Sequence, residues 1–369
     1  MPHTAQQLID ALEIIAPIAC AESWDNVGLI VGDPSRAVRG VMLTIDYTGA
    51  VAQETREHKC DFVVAYHPPL FKPVHKVVAG GSSRLLFDAL RDGIAIYSPH
   101  TALDVAPGGT NDVLADLIEL RDRTPLRAIQ STHAKYCKLV TFVPEDALER
   151  VRDALFGAGA GHIGNYSQCS FRSTGKGTFF GEEGTNPTVG ETGKLTTTDE
   201  IRFETILQIE RTTEVVNALR TAHPYEEPAF DLIALTTPST GLGQGRKGFV
   251  PEGATVEMLV NRLKRELDID RVLLAGDKDK IVRRAAVCAG SCGDLLDDAI
   301  AARVDLYLTG EMKHHDALKA ISAGVNVVCL LHSNSERAVL KSLATRLARA
   351  LPGLPCHVSK EDRDPFCII

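Results

Sequence analysis

The stretch that organises this chain reads Val327-Val328-Cys329-Leu330-Leu331-His332-Ser333-Asn334-Ser335-Glu336. Its first half is an apolar run typical of a fully buried strand, and a helix is predicted over residues 336–350. A histidine at the exit of such a strand is held by a rigid scaffold, and Glu336 follows four residues later. An imidazole and a carboxylate brought together where a strand gives way to a helix can form half of a metal site.

Two further apolar runs end in the same way. His67 follows residues 62–66, and His100 follows residues 94–97 with Asp104 four positions on. Taken singly, such a histidine is more often an ordinary core or surface residue than a ligand. The set favours a site for zinc, iron, manganese or a similar divalent ion, and the lack of thiolates in it argues against a zinc-finger type of site. The candidate ligands are His67, His100, Asp104, His332 and Glu336.

Composition narrows the class of protein. The chain has 369 residues, more than the roughly 100–200 of one domain, and its 44% apolar content is ordinary for a globular protein. A net charge of −8 argues against a broad nucleic-acid surface. There is no run of about 18 apolar residues and no signal-peptide pattern, so we expect no membrane span. Nine scattered cysteines without a Cys-x-x-Cys pair suit a reduced, cytoplasmic protein.

The two ends of the chain share one layout. Strands alternate with helices in both, which predicts two similar α/β lobes with parallel sheets. Because sites gather at the carboxyl ends of parallel strands, we expect a cleft between the lobes to bring the five candidate ligands together. The predicted N-terminal strands are 41–46, 61–66 and 94–98 with helices at 4–15, 48–58, 82–91 and 111–119, and the predicted C-terminal strands are 285–290, 304–309 and 326–331 with helices at 294–302, 315–322 and 336–350.

A different pattern separates the two lobes. The order β-α-β-β-α-β predicts an inserted ferredoxin-like unit of about 110 residues, with its second strand at 166–172. A Gly-rich stretch at 175–193 is predicted as a surface loop, since no Gly-Lys-Ser/Thr follows that would support a phosphate-binding loop. The predicted domains are therefore an N-terminal lobe at 1–126, the insert at 127–240 and a C-terminal lobe at 241–369.

Other polar residues follow the same strand ends. Glu311 and His315 come after the strand at 304–309 and are our candidates for catalytic or substrate contact, with a solvated helix start as the ordinary alternative. Adjacent helical residues point in different directions, so His314 and His315 cannot both face one ion. Trp24 is the only tryptophan, and we predict it to be a core anchor at a turn.

Several longer motifs occur in order along the chain. In the outer lobes they are Trp24-Asp25-Asn26-Val27-Gly28-Leu29, Tyr66-His67-Pro68-Pro69-Leu70-Phe71, His100-Thr101-Ala102-Leu103-Asp104, Thr309-Gly310-Glu311-Met312-Lys313-His314-His315 and His332-Ser333-Asn334-Ser335-Glu336-Arg337. In the central unit they are Gly184-Thr185-Asn186-Pro187 and His223-Pro224-Tyr225-Glu226-Glu227-Pro228. The outer motifs resemble those of one known family, the NIF-three-like proteins, also called dinuclear metal-centre hexameric proteins and often named GTP cyclohydrolase I type 2-like. The central unit resembles the PII-like insert of some members of that family.

The resemblance implies up to two divalent ions per subunit, held by the five candidate ligands, and a ring-shaped cytosolic homohexamer. The chain departs from the family at Tyr66, where many bacterial members have a second histidine. A neutral tyrosine is a poor ligand, so one metal position is expected to be weaker, empty or completed by water. Tyr66 is also our candidate substrate-binding residue.

Two functions remain open at this point. The leading hypothesis is a metal-dependent hydrolase that uses a metal-activated water, which the family's name would make a GTP cyclohydrolase, although no residue selects GTP. The alternative is a non-catalytic metal-binding regulator or scaffold, which fits the PII-like insert and the tyrosine at position 66. Nucleic-acid binding through the hole of the ring is the weakest hypothesis, given the acidic balance.

Overall fold

The computed structural model describes residues 3–129, 136–235 and 241–366, which form a mixed α/β protein. Its contacts divide the chain into two units, Met1–Ile129 with Thr240–Ile369, and Gln130–Ser239. The predicted boundary at residue 240 lies outside the described residues. The first unit carries all five candidate metal ligands, and each unit is described by itself.

The N-terminal lobe of the first unit alternates strands and helices. Strands β4, β5 and β6 pair in parallel and are buried along their whole length, which explains their continuous apolar sequences. Thr4 caps α1 in a capping box with Gln7, as predicted for the start of that helix. The elements are β1 (His3–Thr4), α1 (Ala5–Ile15), β2 (Gly28–Val31), β3 (Ala37–Val38), β4 (Val41–Thr44), α2 (Gly49–Glu57), β5 (Phe62–Ala65), α3 (Arg84–Asp92), β6 (Ala95–Ser98), α4 (His100–Val105), α5 (Thr110–Leu117) and β7 (Arg121–Ala128).

The central unit has the predicted order of elements. Its four strands are antiparallel in the order β11-β8-β10-β9, the ferredoxin-like arrangement. The predicted strand at 166–172 and loop at 175–193 are wrong in extent, because β9 continues to Phe180 and pairs Gly175 with Glu200. The ladder to β10 offsets the low strand propensity of the glycines. The elements are β8 (Tyr136–Val143), α6 (Leu148–Gly157), β9 (Ser170–Phe180), β10 (Leu195–Gln208), α7 (Thr212–Ala222) and β11 (Phe230–Leu235).

The C-terminal lobe repeats the parallel layout of the N-terminal lobe, which confirms the prediction of two similar α/β lobes. Strands β14, β15 and β16 are parallel neighbours, and they alternate in sequence with helices α9 and α10. The elements are β12 (Gly243–Phe249), α8 (Val256–Leu267), β13 (Leu273–Ala275), β14 (Arg284–Ser291), α9 (Leu296–Ala301), β15 (Leu306–Glu311), α10 (His314–Ser322), β16 (Asn326–Cys329), α11 (His332–Glu336), α12 (Val339–Ala350) and β17 (Cys356–Val358).

The helix predicted at 336–350 begins three residues later, as α12 at Val339, and a separate short helix, α11, precedes it. Within α11 the Ser335 hydroxyl donates to the His332 carbonyl at 2.6 Å. Because α11 runs from His332 to Glu336, both candidate ligands lie on one helical turn that the sequence did not predict.

The two lobes of the first unit share core and sheet. The apolar face of α12, with Leu343 and Leu347, packs into the same cluster as Leu8, Leu12 and Val64 of the N-terminal lobe. Strand β17 pairs in parallel with β4, so the end of the chain completes the N-terminal sheet in the order β17-β4-β5-β6-β2. The second sheet has the order β13-β16-β15-β14-β12-β7. Among the described residues no helix is long and apolar enough to cross a membrane.

Candidate metal centre

Each lobe presents candidate ligands on a single helical turn. His100 and Asp104 lie on α4, and His332 and Glu336 lie on α11, so the spacing of four places both members of each pair on one helix face. The backbone enters these turns with positive φ, +23° at His100 and +71° at Leu331. Such angles cost a non-glycine residue about 1–3 kcal/mol, so the surrounding structure must hold both turns in place.

Three residues from the two lobes form a possible metal-binding group. They are His67, His332 and Glu336, and one ligand atom from each lies within 4.8 Å of the others. Glu336 lies between the imidazoles, with 3.4 Å from its Oε2 to His67 Nε2 and 3.3 Å from its Oε1 to His332 Nε2. The two imidazole centroids are 5.3 Å apart. Two imidazoles and a carboxylate are donors that divalent transition metals accept.

Glu336 provides the test of whether these residues fit an ion. Its side chain is only 3% exposed, and Oε2 makes no hydrogen bond in the described structure. Burial works to raise its pKa, but the neighbouring imidazoles of His332 and His67 outweigh burial and hold the pKa below its ordinary value. A buried carboxylate is costly unless a cation compensates it, and here the two imidazoles at 3.3 and 3.4 Å supply that charge when protonated. A divalent ion bound between the same three side chains would take the place of those protons. The residues present therefore fit a bound divalent ion.

A carboxylate lies behind each histidine. His67 Nδ1 donates to Asp46 Oδ1 at 3.0 Å, and His332 Nδ1 lies 3.5 Å from Glu311 Oε2. Such contacts leave Nε2 for a metal and fix the orientation of the ring. Burial lowers the pKa of His67, but Asp46 and Glu336 raise it to about 10. Hydrogen bonding to Glu336 raises the pKa of His332 to about 9. Both imidazoles therefore hold a proton near neutral pH unless an ion displaces it.

His100 has a carboxylate partner of the same kind. Its Nδ1 lies 2.8 Å from Asp25 Oδ1, and the other oxygen of Asp25 accepts the Thr101 N–H at 3.1 Å and the Thr101 hydroxyl at 2.5 Å. The His100 and His67 centroids are 5.3 Å apart. Asp25 thus fixes the turn that starts α4 and the ring on it.

Tyr66 lies beside Asp104, on the His100 side of the candidate metal centre. It is 1% exposed, and its hydroxyl donates to Asp104 Oδ1. Burial raises the pKa of Asp104 to about 6, although the bond from Tyr66 acts in the opposite direction. Tyr66 is not among the residues that line the cavity described below. The structure therefore places the Tyr66 hydroxyl against a candidate ligand, a setting that favours a positioning role over the predicted contact with substrate.

All five candidate ligands line one cavity of about 770 Å³. Trp24 lines it too and is 59% exposed, so the prediction of a core anchor is wrong. Its ring lies 5.8 Å from Phe71 and 6.1 Å from His100. Since indole is often incompletely buried and has a polar edge, exposure at the mouth of a cavity is a common alternative to the core.

The two candidate catalytic residues have different settings. Glu311 ends β15 and pairs with His332 as described. His315 lies in the first turn of α10, is exposed, and has its ring 5.3 Å from that of His314. Neither Glu311 nor His315 is among the described residues that line the cavity, but Glu311 contacts His332, which does line it. Glu311 therefore lies at the group of three, whereas the role of His315 stays a prediction.

Sequence reasoning missed three residues that shape the site. Asp46 and Asp25 orient imidazoles, and Gly290 makes room for Glu336. A Cβ at Gly290 would lie 2.8 Å from Glu336 Oε1, and the residue has φ +74°. Asp46 could have been predicted from the sequence, because it follows a buried parallel strand next to the strand that precedes His67. Gly290 carried a weaker signal, as a glycine at the end of the corresponding strand of the other lobe.

Comparison with known proteins identifies relatives along the whole chain. A family model described as Duf34/NIF3 (NGG1p interacting factor 3) matches residues 3–365. A Bacillus subtilis protein named GTP cyclohydrolase 1 type 2 homolog is 35% identical over 99% of this chain and 98% of its own length. A Mycobacterium tuberculosis protein of the same name is 38% identical over 84% of this chain and 82% of its own length.

Solved structures of related proteins also match along the whole chain. The structure of a Bacillus cereus protein related to NIF3 is 33% identical, with a TM-score of 0.73 over 100% of both chains. A Staphylococcus aureus protein is 29% identical, with a TM-score of 0.82 over 100% of this chain and 99% of its own. The likeness therefore covers both outer lobes and the central unit.

Proposed function

This chain belongs to the Duf34/NIF3 family, and from that premise and the geometry of the site we propose that it is a metal-dependent hydrolase. The observation that carries the proposal is the convergence of His67, His332 and Glu336 in one cavity, with the buried Glu336 Oε2 lacking a hydrogen-bond partner. When bound there, a divalent ion supplies Lewis acidity and lowers the pKa of a coordinated water towards neutrality. That is the chemistry that hydrolysis at neutral pH requires.

The ligand set is proposed to comprise all five predicted residues. His67 and His332 present Nε2 and Glu336 presents its carboxylate, while His100 and Asp104 add a second pair of donors on the wall of the same cavity. His100 and Asp104 would either hold a second ion or complete the coordination of the first. Because Tyr66 already bonds to one oxygen of Asp104, we propose that the position on that side is the weaker of the two.

The protein's own residues would orient the ligands and handle protons. Asp46 and Asp25 hold the Nδ1 side of His67 and His100, so that each ring is placed before an ion arrives. Burial raises the pKa of Asp104 to about 6, so its oxygen that does not bond to Tyr66 would be available to an ion only once the carboxyl has lost its proton. Glu311 would anchor His332, which makes it a positioning residue in this scheme. A catalytic role for His315 is retained as a proposal.

The substrate class is proposed from the cavity and from the relatives' names. A cavity of about 770 Å³ lies within the range for small-molecule sites. Relatives named GTP cyclohydrolase 1 type 2 homolog make GTP the first substrate to test, with opening of the purine imidazole ring and release of formate as the reaction. From the family resemblance we further propose a cytoplasmic homohexamer whose central unit is PII-like.

The test combines metal content with turnover. Protein stripped of metal is reloaded separately with zinc, iron(II) or manganese, and formate release from GTP and hydrolysis of simple phosphoesters are measured. Glu336→Gln should lose both metal binding and turnover, whereas Glu252→Gln, an exposed glutamate outside the site, should behave like the wild type. Stoichiometric metal with no turnover of any substrate would contradict the hydrolase and leave a metal-binding protein.

A non-catalytic metal-binding regulator or scaffold is the second candidate. The bond from Tyr66 to Asp104 favours it, because that bond occupies a donor that a two-metal hydrolase would use. Tyr66→His separates the two functions: a hydrolase should bind metal more tightly and change its rate, whereas a scaffold should show no catalytic gain. Light scattering on the purified chain tests the hexamer independently of either function.

A further inference from the structure

A second cavity lies within the Gln130–Ser239 unit, separate from the metal centre. Its volume is about 610 Å³, which is within the range of small-molecule sites. Both motifs singled out in the central unit contribute to its walls. The first motif supplies Gly184, Thr185 and Pro187, and the second supplies Tyr225, Glu226 and Glu227.

The cavity lies on the face of the central sheet that its helices do not cover. Along β10, Ile201 and Phe203 point into the core shared with α6 and α7. Glu200 and Arg202 alternate with them, so their side chains leave the opposite face and line the cavity. The site is therefore built on a hydrogen-bonded sheet, which provides a rigid floor.

The segment that follows β9 is bonded to the second motif. The Thr188 hydroxyl donates to the Pro224 carbonyl at 2.8 Å, and the Asn186 N–H donates to Glu226 Oε2 at 3.2 Å. These bonds join two walls that are about 40 positions apart in sequence. The cavity is thus a formed feature of the unit and does not depend on an ordering step.

The cations that line the cavity have carboxylate partners, whereas its carboxylates have no cationic partner among the described residues. Its two cations are already paired with carboxylates that do not line it, Lys176 with Asp199 and Arg202 with Glu204, each at 2.8 Å. Three carboxylates line the cavity, and none of them forms an ion pair with another of the residues that the structure describes. Glu200 accepts a hydrogen bond from the Tyr225 hydroxyl at 3.0 Å. The three carboxylates are Glu200, Glu226 and Glu227.

Aromatic rings provide the remaining walls. The faces of aromatic rings attract cations, and the attraction is strongest when carboxylates are close and water is partly excluded. Tyr225 combines both features, because its ring lines the cavity while its hydroxyl holds Glu200 in place. The aromatic residues on this face of the sheet and on the second motif are Phe142, Phe179 and Tyr225.

We propose that this cavity binds a small organic cation, an amine or guanidinium with an apolar body, between the aromatic walls and the three carboxylates. Glu200 and Glu227 would receive the charge, and the phenyl rings would cover the carbon skeleton. The proposal rests on residues of the central unit alone and holds whether or not the metal centre is an enzyme.

The experiment is titration calorimetry on the full chain, stripped of metal, with three probes that share one aromatic body. Phenethylamine is cationic, phenethyl alcohol is neutral and hydrocinnamate is anionic. We expect saturable binding of the amine, binding of the alcohol that is weaker by about tenfold, and still weaker binding of the anion. Equal binding of amine and alcohol, or a preference for the anion, would overturn the proposal.

Variants locate the bound probe. Glu227→Gln and Tyr225→Phe should each weaken binding of phenethylamine several-fold, whereas Glu183→Gln, an exposed glutamate that does not line the cavity, should leave it unchanged. Tyr225→Phe removes only the hydroxyl that holds Glu200, so it tests the site even if a charge-changing variant folds poorly. Wild-type affinity in both cavity variants would place the probe elsewhere and refute the assignment.

Discussion

Substituting Gly290 with alanine tests the metal centre through a residue that is not itself a ligand. The new Cβ would lie 2.8 Å from Glu336 Oε1 and 3.6 Å from His332 Nε2. The carboxylate oxygen would have to retreat by about 0.6 Å to reach an ordinary contact of 3.4 Å. Metal–ligand distances tolerate only about 0.2 Å. We expect the affinity for zinc to fall about 10- to 100-fold, or about 1.4–2.8 kcal/mol.

The chain offers a matched control for this substitution. Gly324 has φ +78°, close to the +74° of Gly290, but a Cβ there would meet nothing within 4 Å. Alanine at either position carries the same backbone strain, about 1–2 kcal/mol in the free energy of unfolding. Titration calorimetry with zinc measures affinity, and urea unfolding without metal measures the strain. Equal zinc affinities for Gly290→Ala and Gly324→Ala would refute the assignment of Glu336 as a ligand.

Four further outcomes are expected. Asp46→Asn should weaken metal binding about 10- to 100-fold with little change in fold, because it loosens the orientation of His67; an unchanged dissociation constant would remove Asp46 from the site. His67 and His332 have pKa values of about 10 and about 9, above the ordinary 6.5. The contribution of these two groups to the stability of the metal-free protein should therefore be complete below about pH 6.5 and should be lost as the pH rises through 9 and 10. Urea titrations at a series of pH values would measure this loss. Metal binding should show the opposite trend, releasing about two protons near pH 7 and strengthening with pH, and buffer-independent binding enthalpies would contradict this. Tyr66→His should raise the metal content per chain towards two, since it frees Asp104 and adds an imidazole, and elemental analysis that shows no change would count against a second position.

The candidate ligands could be found from the sequence because their position depends on local pattern. His67, His100 and His332 each follow a continuous apolar run, and carboxyl ends of parallel strands meet at one edge of a sheet. The spacing of four to Asp104 and Glu336 then places a carboxylate on the same helical face. Periodicity and one topological rule were thus enough to predict the convergence in one cavity.

The structural features that could not be predicted from the sequence depend on contacts between distant segments. The exposure of Trp24 follows from where its turn lies relative to Phe71, which no local pattern encodes. Strand β9 extends through Gly175 because β10 pairs with it there, although glycine alone favours a loop. The short helix α11 lies before the predicted start of the helix at Glu336, over residues that the apolar pattern assigned to the end of a strand and a turn.

The orientation of the ligands is the part least accessible to sequence. Asp46 and Asp25 reach Nδ1 of different histidines across 21 and 75 positions of the chain. Glu311 approaches His332 from the preceding parallel strand. Each contact needs the register of two strands or the course of a turn, and both are set only when the segments of one lobe pack together.

Anomalous diffraction at the zinc edge, on crystals of the metal-loaded chain, tests the central claim most directly. We expect a peak in the 770 Å³ cavity, about 2.0–2.2 Å from Nε2 of His67, Nε2 of His332 and a carboxylate oxygen of Glu336. A peak bound only by other residues, or density that leaves these three side chains without a shared ion, would contradict the account.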